Sequence, residues 1–251
     1  TSVLQDFEDD GVVYLELRTT PRATPLITVQ EYVAAIVEAI AAFSSSKMHT
    51  KLILCIDRRH DLQTAENILS LATGDVVVAL DLCGDPIAKP DGEIDVFTPV
   101  FHKAKERGLG ITVHFAEAQA SGSRRELDVL LGWQPQRLGH VIWEDDEAKK
   151  VIEERKLCLE LCLSCNVQAD MVKGGFKGHH FGYWKDKAVN IALSTDDVGV
   201  FGSPLSNEYK LAAEHFNLSR REVCGLSRQG IHGIFGGDEE KQRLESIMWK
   251  E

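Results

Sequence analysis

Ile111-Thr112-Val113-His114 is an apolar run closed by an imidazole, and Phe115-Ala116-Glu117 places a carboxylate three residues further on. A β-strand that ends this way carries polar chemistry to its C-terminal end. The pattern recurs twice. Arg137-Leu138-Gly139-His140 closes on a second histidine, and Asn190-Ile191-Ala192-Leu193-Ser194-Thr195 runs into Asp196-Asp197. Imidazoles and carboxylates at successive strand ends are the donors a hydrolytic metal site uses. Zinc takes neutral nitrogen and anionic oxygen ligands, and it lowers the pKa of a bound water to about 7.

Working outward from that stretch, strand-like runs rich in Val, Ile and Leu occupy residues 12–17, 52–56, 76–82, 111–115, 137–142, 157–163 and 190–194. Helical patterns separate them at 29–43, 62–73, 94–107, 124–132 and 145–155, and a helix-like segment opens the chain at 1–10. After the last strand only helices follow, at 204–216, 220–230 and 239–249. Near-continuous apolar strands alternating with amphipathic helices predict a parallel sheet covered by helices. No linker interrupts the pattern, so residues 1–251 read as one domain.

Seven such strands suit an open doubly wound sheet or a (β/α)₈ barrel short of one strand. An open sheet gathers its ligand at one switch point, so one or two strand ends carry the site. Here Arg18, Asp57, Gly84, His114, His140 and Asp196 end six different runs. A closed ring brings that many C-terminal ends together, where barrel active sites lie. The expected fold is therefore an α/β TIM barrel, (β/α)₈, short of one strand.

Composition narrows the partners. The chain has 28 basic against 39 acidic residues, a net charge of −11, with no basic run longer than a dipeptide. Long-range attraction to nucleic acid or an anionic membrane is excluded, although local donors can still hold a small anion. No apolar stretch reaches the roughly 20 residues of a membrane span. The six cysteines (Cys55, Cys83, Cys158, Cys162, Cys165, Cys224) lie mostly in apolar runs. Without a signal peptide at the start of the chain, they are expected as buried free thiols of a reducing cytoplasm rather than as disulfides.

Each candidate has an ordinary structural alternative. A single strand-end histidine is commonly a hydrogen-bonded structural residue; Glu117 beside His114, with His140 and Asp196 at other strand ends, tips the reading towards a site. Asp196-Asp197 could cap a helix, which accounts for one of the two acids. Cys162-Leu163-Ser164-Cys165 stands alone, without the His-x-Glu that zinc-dependent cytidine deaminases add, and is expected in the core.

Tyr14-Leu15-Glu16-Leu17-Arg18-Thr19-Thr20-Pro21-Arg22, Leu80-Asp81-Leu82-Cys83-Gly84-Asp85-Pro86, His114-Phe115-Ala116-Glu117, Arg137-Leu138-Gly139-His140 and Ser194-Thr195-Asp196-Asp197 together resemble the adenosine/AMP deaminase family. With His179-His180-Phe181-Gly182-Tyr183-Trp184 and Leu205-Ser206-Asn207-Glu208-Tyr209 they most resemble its adenosine deaminase-like branch, the N6-methyl-AMP deaminases. The resemblance runs over nearly the whole chain in the right order. It implies a metal-dependent hydrolase barrel with one Zn²⁺ per full-length subunit, acting on a purine nucleotide as a monomer. His114 then resembles the third zinc ligand and Asp196 the aspartate ligand. Glu117 resembles the acid that protonates purine N1 as hydroxide attacks C6, and His140 the histidine that orients and stabilises that hydroxide. Asp197 resembles the contact to N7, and Gly84 offers a backbone N–H towards N3. Protonation at N1 and a metal-held nucleophile lower the same barrier from two sides.

Two departures accompany the resemblance. The His-x-His pair of the family's first strand, which supplies two zinc ligands, has no counterpart here, and Phe115-Ala116 fills positions where relatives differ. The expectation is that two of four protein ligands remain, and that this span alone binds zinc poorly, turns over little and is unstable at its two open sheet edges.

Substrate choice turns on phosphate. Thr19-Thr20-Pro21-Arg22 offers hydroxyls and a guanidinium after the first strand, and it resembles the segment the methyl-AMP branch uses for its nucleotide. A plain turn with an exposed Arg22 is the alternative, and Arg18 is either a competing cation or the brace of a barrel carboxylate. Asp57 is expected at the ribose or phosphate, or else in an ion pair with Arg58 or Arg59. His179-His180 lines the entrance or forms a solvated loop pair. The reading is a zinc-dependent aminohydrolase of N6-methyl-AMP. An adenosine deaminase and a catalytically dead barrel that only binds are the alternatives.

Overall fold

In the computed structural model, which describes residues 2–43, 45 and 47–248, seven parallel strands pair strictly in chain order. They are β1 Tyr14–Thr19, β2 His49–Asp57, β3 Val77–Cys83, β4 Gly110–Phe115, β5 Arg137–His140, β6 Cys158–Leu161 and β7 Asn190–Leu193. Every expected strand is present. The helices are α1 Ser2–Asp9, α2 Val29–Ala42, α3 Leu62–Leu71, α4 Thr98–Glu106, α5 Arg124–Gly132 and α6 Asp146–Arg155. They continue with α7 Leu163–Gln168, α8 Phe181–Trp184, α9 Val198–Phe201, α10 Leu205–Phe216, α11 Arg220–Gly233 and α12 Asp238–Ile247. The short α7, α8 and α9 were not expected, and residue 249, where the last helix was expected to end, lies outside the described residues.

Local chemistry sets several of these boundaries. Thr28 and Ser219 close capping boxes with Glu31 and Glu222 at the starts of α2 and α11, satisfying amides that have no partner within the helix. The expected helix at 94–107 divides into a 3₁₀ turn, Glu93–Phe97, and α4. Pro99 falls in the first turn of α4, where its missing N–H costs nothing.

The apolar core lies between sheet and helices. Leu54, Leu80, Leu82, Ile111, Val113 and Leu138 pack there with Ile68, Phe101, Leu130 and Ile152. The ring of Trp133 stacks on Phe101 at 4.2 Å. The concave face is different. Glu160 of β6 accepts from Arg18 of β1 at 2.5 Å, from Thr112 of β4 at 3.0 Å and pairs with Arg137 of β5 at 2.5 Å. Arg137 also reaches Glu16 of β1. Side chains of β1 and β6 meet only because the sheet curls, and this curl gathers the C-terminal strand ends. β1 and β7 are its edges, with no pairing between them among the described residues.

The opposite end is plugged. Phe235, just past α11, donates its N–H to Glu16 at 2.6 Å, and its ring lies 3.9 Å from the Arg137 guanidinium. A Cβ on Gly110, at the start of β4, would fall 2.2 Å from that ring, so glycine is required there. One end of the curled sheet is closed and the other is free to hold a site.

Burial alone would raise the Glu160 pKa, but Arg18 and Arg137 outweigh it and hold the carboxyl down at about 2. Its folded pKa is depressed, so its stabilisation is complete above the unfolded value of about 4.3 and is lost as pH falls from there. Glu160→Gln leaves the buried Arg137 and the half-buried Arg18 short of their shared anion and is expected to cost about 3–5 kcal/mol at neutral pH. Urea unfolding at neutral pH and near pH 3 should show the variant losing less further stability on acidification than the wild type. Equal losses would mean that the network does not set the acid sensitivity.

Candidate active site

The geometry starts from a carboxylate inside an apolar strand. Asp81 of β3 has no solvent exposure, and its Oδ2 lies 3.2 Å from Nδ1 of His114 on β4. The carbonyl of Leu82 lies 3.0 Å from the same nitrogen. Two acceptors around Nδ1 place a proton there and leave Nε2 of His114 for the cavity that the residue lines. Burial pulls the His114 pKa down, but Asp81 outweighs it and carries the pKa up to about 10. A cation that takes Nε2 must therefore displace a proton.

His140 ends β5. Its ring centroid is 5.2 Å from that of His114, and its Nε2 is 3.7 Å from Oε1 of Glu117. His140, Cys162 and Asp196 present ligand-type atoms within 4.8 Å of one another. Burial holds the His140 pKa down, keeping the ring neutral near pH 7. The four residues named from the strand ends thus fall round one point, beside a cavity of about 750 Å³ lined by Thr19, Thr20, His114, His140, Asp196 and Asp197.

The backbone here is strained. Ala116, His140, Val141 and Asp196 have φ of 49°, 65°, 56° and 55°, a region that costs a non-glycine residue about 1–3 kcal/mol. Neighbours hold it in place: Val141 donates to the Phe115 carbonyl at 3.0 Å, and Trp143 to that of Ala116 at 2.8 Å. Such strain, compensated around it, re-aims the loops after β4, β5 and β7 over the cavity.

The acid pair divides its work. Asp197 caps α9, its Oδ1 accepting from Val200 N–H at 3.1 Å. Asp196 makes no cap; its Oδ2 accepts from the Cys165 thiol at 2.8 Å. The helix-cap alternative therefore holds for one aspartate only. The Cys162–Cys165 pair is buried, as expected, but it also touches the site, which the core reading missed.

Other expected contacts are placed as follows. Thr19 bonds the Tyr32 hydroxyl at 2.8 Å, and the Thr20 hydroxyl is 3.4 Å from Cys83 Sγ. Pro21 is buried and Arg22 exposed. Asp57 realises its ion-pair alternative: Oδ1 accepts from Arg59 N and Nε, both at 2.8 Å, and Oδ2 pairs with Nη2 at 2.5 Å. Gly84 has φ 98°, and a Cβ there would fall 2.6 Å from Asp57 Oδ1, so no other residue fits the turn. Arg18 braces Glu160 and Asp81, the alternative to a phosphate cation. His179-His180 is neither an entrance nor a solvated pair: His179 is 2% exposed and bonds Asn166, and His180 bonds the His140 carbonyl.

The donor set fits a divalent cation. His114 presents Nε2 with its other nitrogen anchored by a carboxylate, the usual support of a metal-bound histidine, and Asp196 adds an anionic oxygen. Asp81→Asn should then lower divalent-cation affinity about 10–100-fold, read by titration calorimetry. Unchanged affinity would remove Asp81 from the support of the site.

The sequence comparisons agree with this geometry. The adenosine deaminase family model matches residues 2–250. The N6-Methyl-AMP deaminase-L of Xenopus laevis is 35% identical over 254 residues, 97% of this chain and 72% of that protein. The apo N6-methyl-AMP deaminase of Arabidopsis thaliana superposes with a TM-score of 0.91 at 33% identity, covering 98% of this chain and 75% of that one. Arabidopsis ADAL complexed with IMP gives the same TM-score of 0.91 at 33% identity, over 98% and 74%. The chain belongs to the adenosine deaminase family.

Proposed function

We propose that the protein hydrolyses the C6 amino substituent of a purine nucleoside monophosphate, converting N6-methyl-AMP and water to IMP and methylamine. The observation that carries this reading is that His114, His140 and Asp196 line one cavity, with Glu117 beside His140. Relatives named for N6-methyl-AMP, and one complexed with IMP, support the substrate class.

His114 and Asp196 would hold Zn²⁺, which supplies a Lewis acid that acidifies water. Glu117 delivers a proton to purine N1, drawing electron density away from C6. His140 presents a neutral N–H to the attacking oxygen. Asp197 would contact N7, and the Gly84 amide would donate to N3. Thr19, Thr20 and Arg22, with Pro21 fixing the turn, take the phosphate. The same proposal places the protein in a reducing cytoplasm, where its six free thiols persist. No helix among the described residues is long and apolar enough to cross a membrane.

Turnover of N6-methyl-AMP, AMP and adenosine, measured side by side with metal supplied, tests the reading. Methylamine release from N6-methyl-AMP should be fastest, and a preference for adenosine would overturn the nucleotide assignment. Glu117→Gln should keep nucleotide binding while kcat falls about 10²–10⁴-fold. Near-normal turnover would take Glu117 out of the proton transfer.

Arg22→Ala should raise KM for the nucleotide about ten- to a hundredfold, the worth of a charge-assisted bond, and leave the nucleoside reaction almost unchanged. Equal losses on both substrates would assign Arg22 to the fold instead.

A further inference from the structure

Asn166 and His179 have no part in the reaction proposed above, yet both are at most 2% exposed in the wall behind His140. Their contacts form one line. Phe181 N–H meets His179 Nδ1 at 3.0 Å, and His179 Nε2 meets Asn166 Oδ1 at 3.0 Å. Asn166 Nδ2 then meets His140 Nδ1 at 3.0 Å, and the other nitrogen of His140 faces Glu117.

The first member fixes the direction of the whole line. A backbone N–H only donates, so Nδ1 of His179 accepts, and the proton of a neutral ring sits on Nε2. That proton needs an acceptor, which is the amide oxygen of Asn166. The amide nitrogen therefore turns to His140, and its second hydrogen points at the Met171 thioether, 3.6 Å away and able only to accept. An amide nitrogen only donates, so His140 Nδ1 accepts and the proton of His140 sits on Nε2. Reversing the line would require the Phe181 N–H to accept, or His179 to accept at both nitrogens, which only an imidazolate does. Burial, with His180 and His140 close by, holds His179 down at about 2, so the ring is neutral and its single proton stays on Nε2.

The neighbouring residue grips the same histidine by its backbone. His180 Nε2–H donates to the His140 carbonyl at 2.5 Å, and its ring stacks on His179 at 4.1 Å. That bond lands on a residue whose φ is 65°. The dipeptide 179–180 thus controls the side chain of His140 through Asn166 and its main chain directly.

We propose that Asn166 and His179 are positioning residues, a relay that fixes His140 as its Nε2–H tautomer so that an N–H donor, not a lone pair, faces Glu117 and the reacting oxygen. The relay rests on His140 taking part in the proposed deamination, and its test reads the proton before it reads the reaction.

Long-range ¹H–¹⁵N correlation of the histidine rings in the wild-type chain reports which nitrogen of each carries the proton. His140 and His179 should both show Nε2–H. Asn166→Asp is nearly isosteric but offers acceptors to both rings, so His140 must bring its proton on Nδ1 and the signal should change accordingly. On N6-methyl-AMP, kcat of this variant should fall about 10²–10⁴-fold, the scale of a wrong-tautomer histidine, with KM little changed. His179→Phe, which removes the donor to Asn166, should lose about 10–100-fold in kcat, and His179→Gln, which restores an N–H near Nε2, should recover most of it. A proton on Nδ1 of wild-type His140 overturns the relay, even if no variant folds. So does an unmoved His140 tautomer in Asn166→Asp. Nε2–H in a wild type that turns over no purine supports the relay and overturns the reaction proposed above, so the two failures are distinct.

Discussion

Glu160 lies between Arg18 and Arg137, and the shape of the molecule depends on that contact. β1 and β6 stand five positions apart in the sheet, so their side chains meet only when the sheet closes on itself. Barrel interiors are commonly filled by layers of Val, Ile and Leu. In this chain the interior positions carry Glu16, Arg18, Asp81, Thr112, Arg137 and Glu160, and the apolar residues between them face the helices. A polar interior holds together only if its members find one another, which makes the curl specific where apolar layers would tolerate slippage.

The same network prepares the site. Asp81 touches Arg18 on one side and His114 on the other. The ion pairs of the interior thus pass directly into the support of the imidazole at the cavity. At the far end, Phe235 bonds Glu16 and covers Arg137, so the charges are shielded from water below while the loops above stay open. Positive-φ residues mark the points where β4, β5 and β7 enter those loops, and they re-aim the backbone there.

Much of this was legible in the sequence, and what was not has physical causes. The runs of Val, Ile and Leu located all seven strands, because a strand covered by helices must be apolar on that face. The closing polar residues His114, His140 and Asp196 pointed to a shared cavity because strand ends in a barrel converge. Asp81 was missed, although a lone acid between Leu80 and Leu82 signals a carboxylate buried with a partner. The helices α7, α8 and α9 span four to six residues, too short for a helical period to declare itself. Asn166 carried no signal at all. His179-His180 looked like a solvated pair because adjacent polar residues usually are. They are held instead by Asn166 of α7 and the His140 carbonyl of β5, tertiary contacts with no local signature.

Electrostatics then narrows how a nucleotide could be held. Asp81, Glu117, Asp196 and Asp197 make the cavity end acidic, and the whole chain carries −11. That field favours a metal cation and repels a phosphate dianion. The two guanidiniums nearest the cavity floor are already spent: Arg137 on Glu16 and Glu160, Arg18 on Glu160 and Asp81. Neither can turn to a phosphate without leaving a buried carboxylate uncompensated, which costs several kcal/mol. Compensation must come from the rim, where screening over about 8–10 Å confines a charge to its near neighbours. Arg22 is exposed just past β1 and the two threonines. The burial of its interior partners therefore argues for a rim guanidinium more strongly than its own surroundings do.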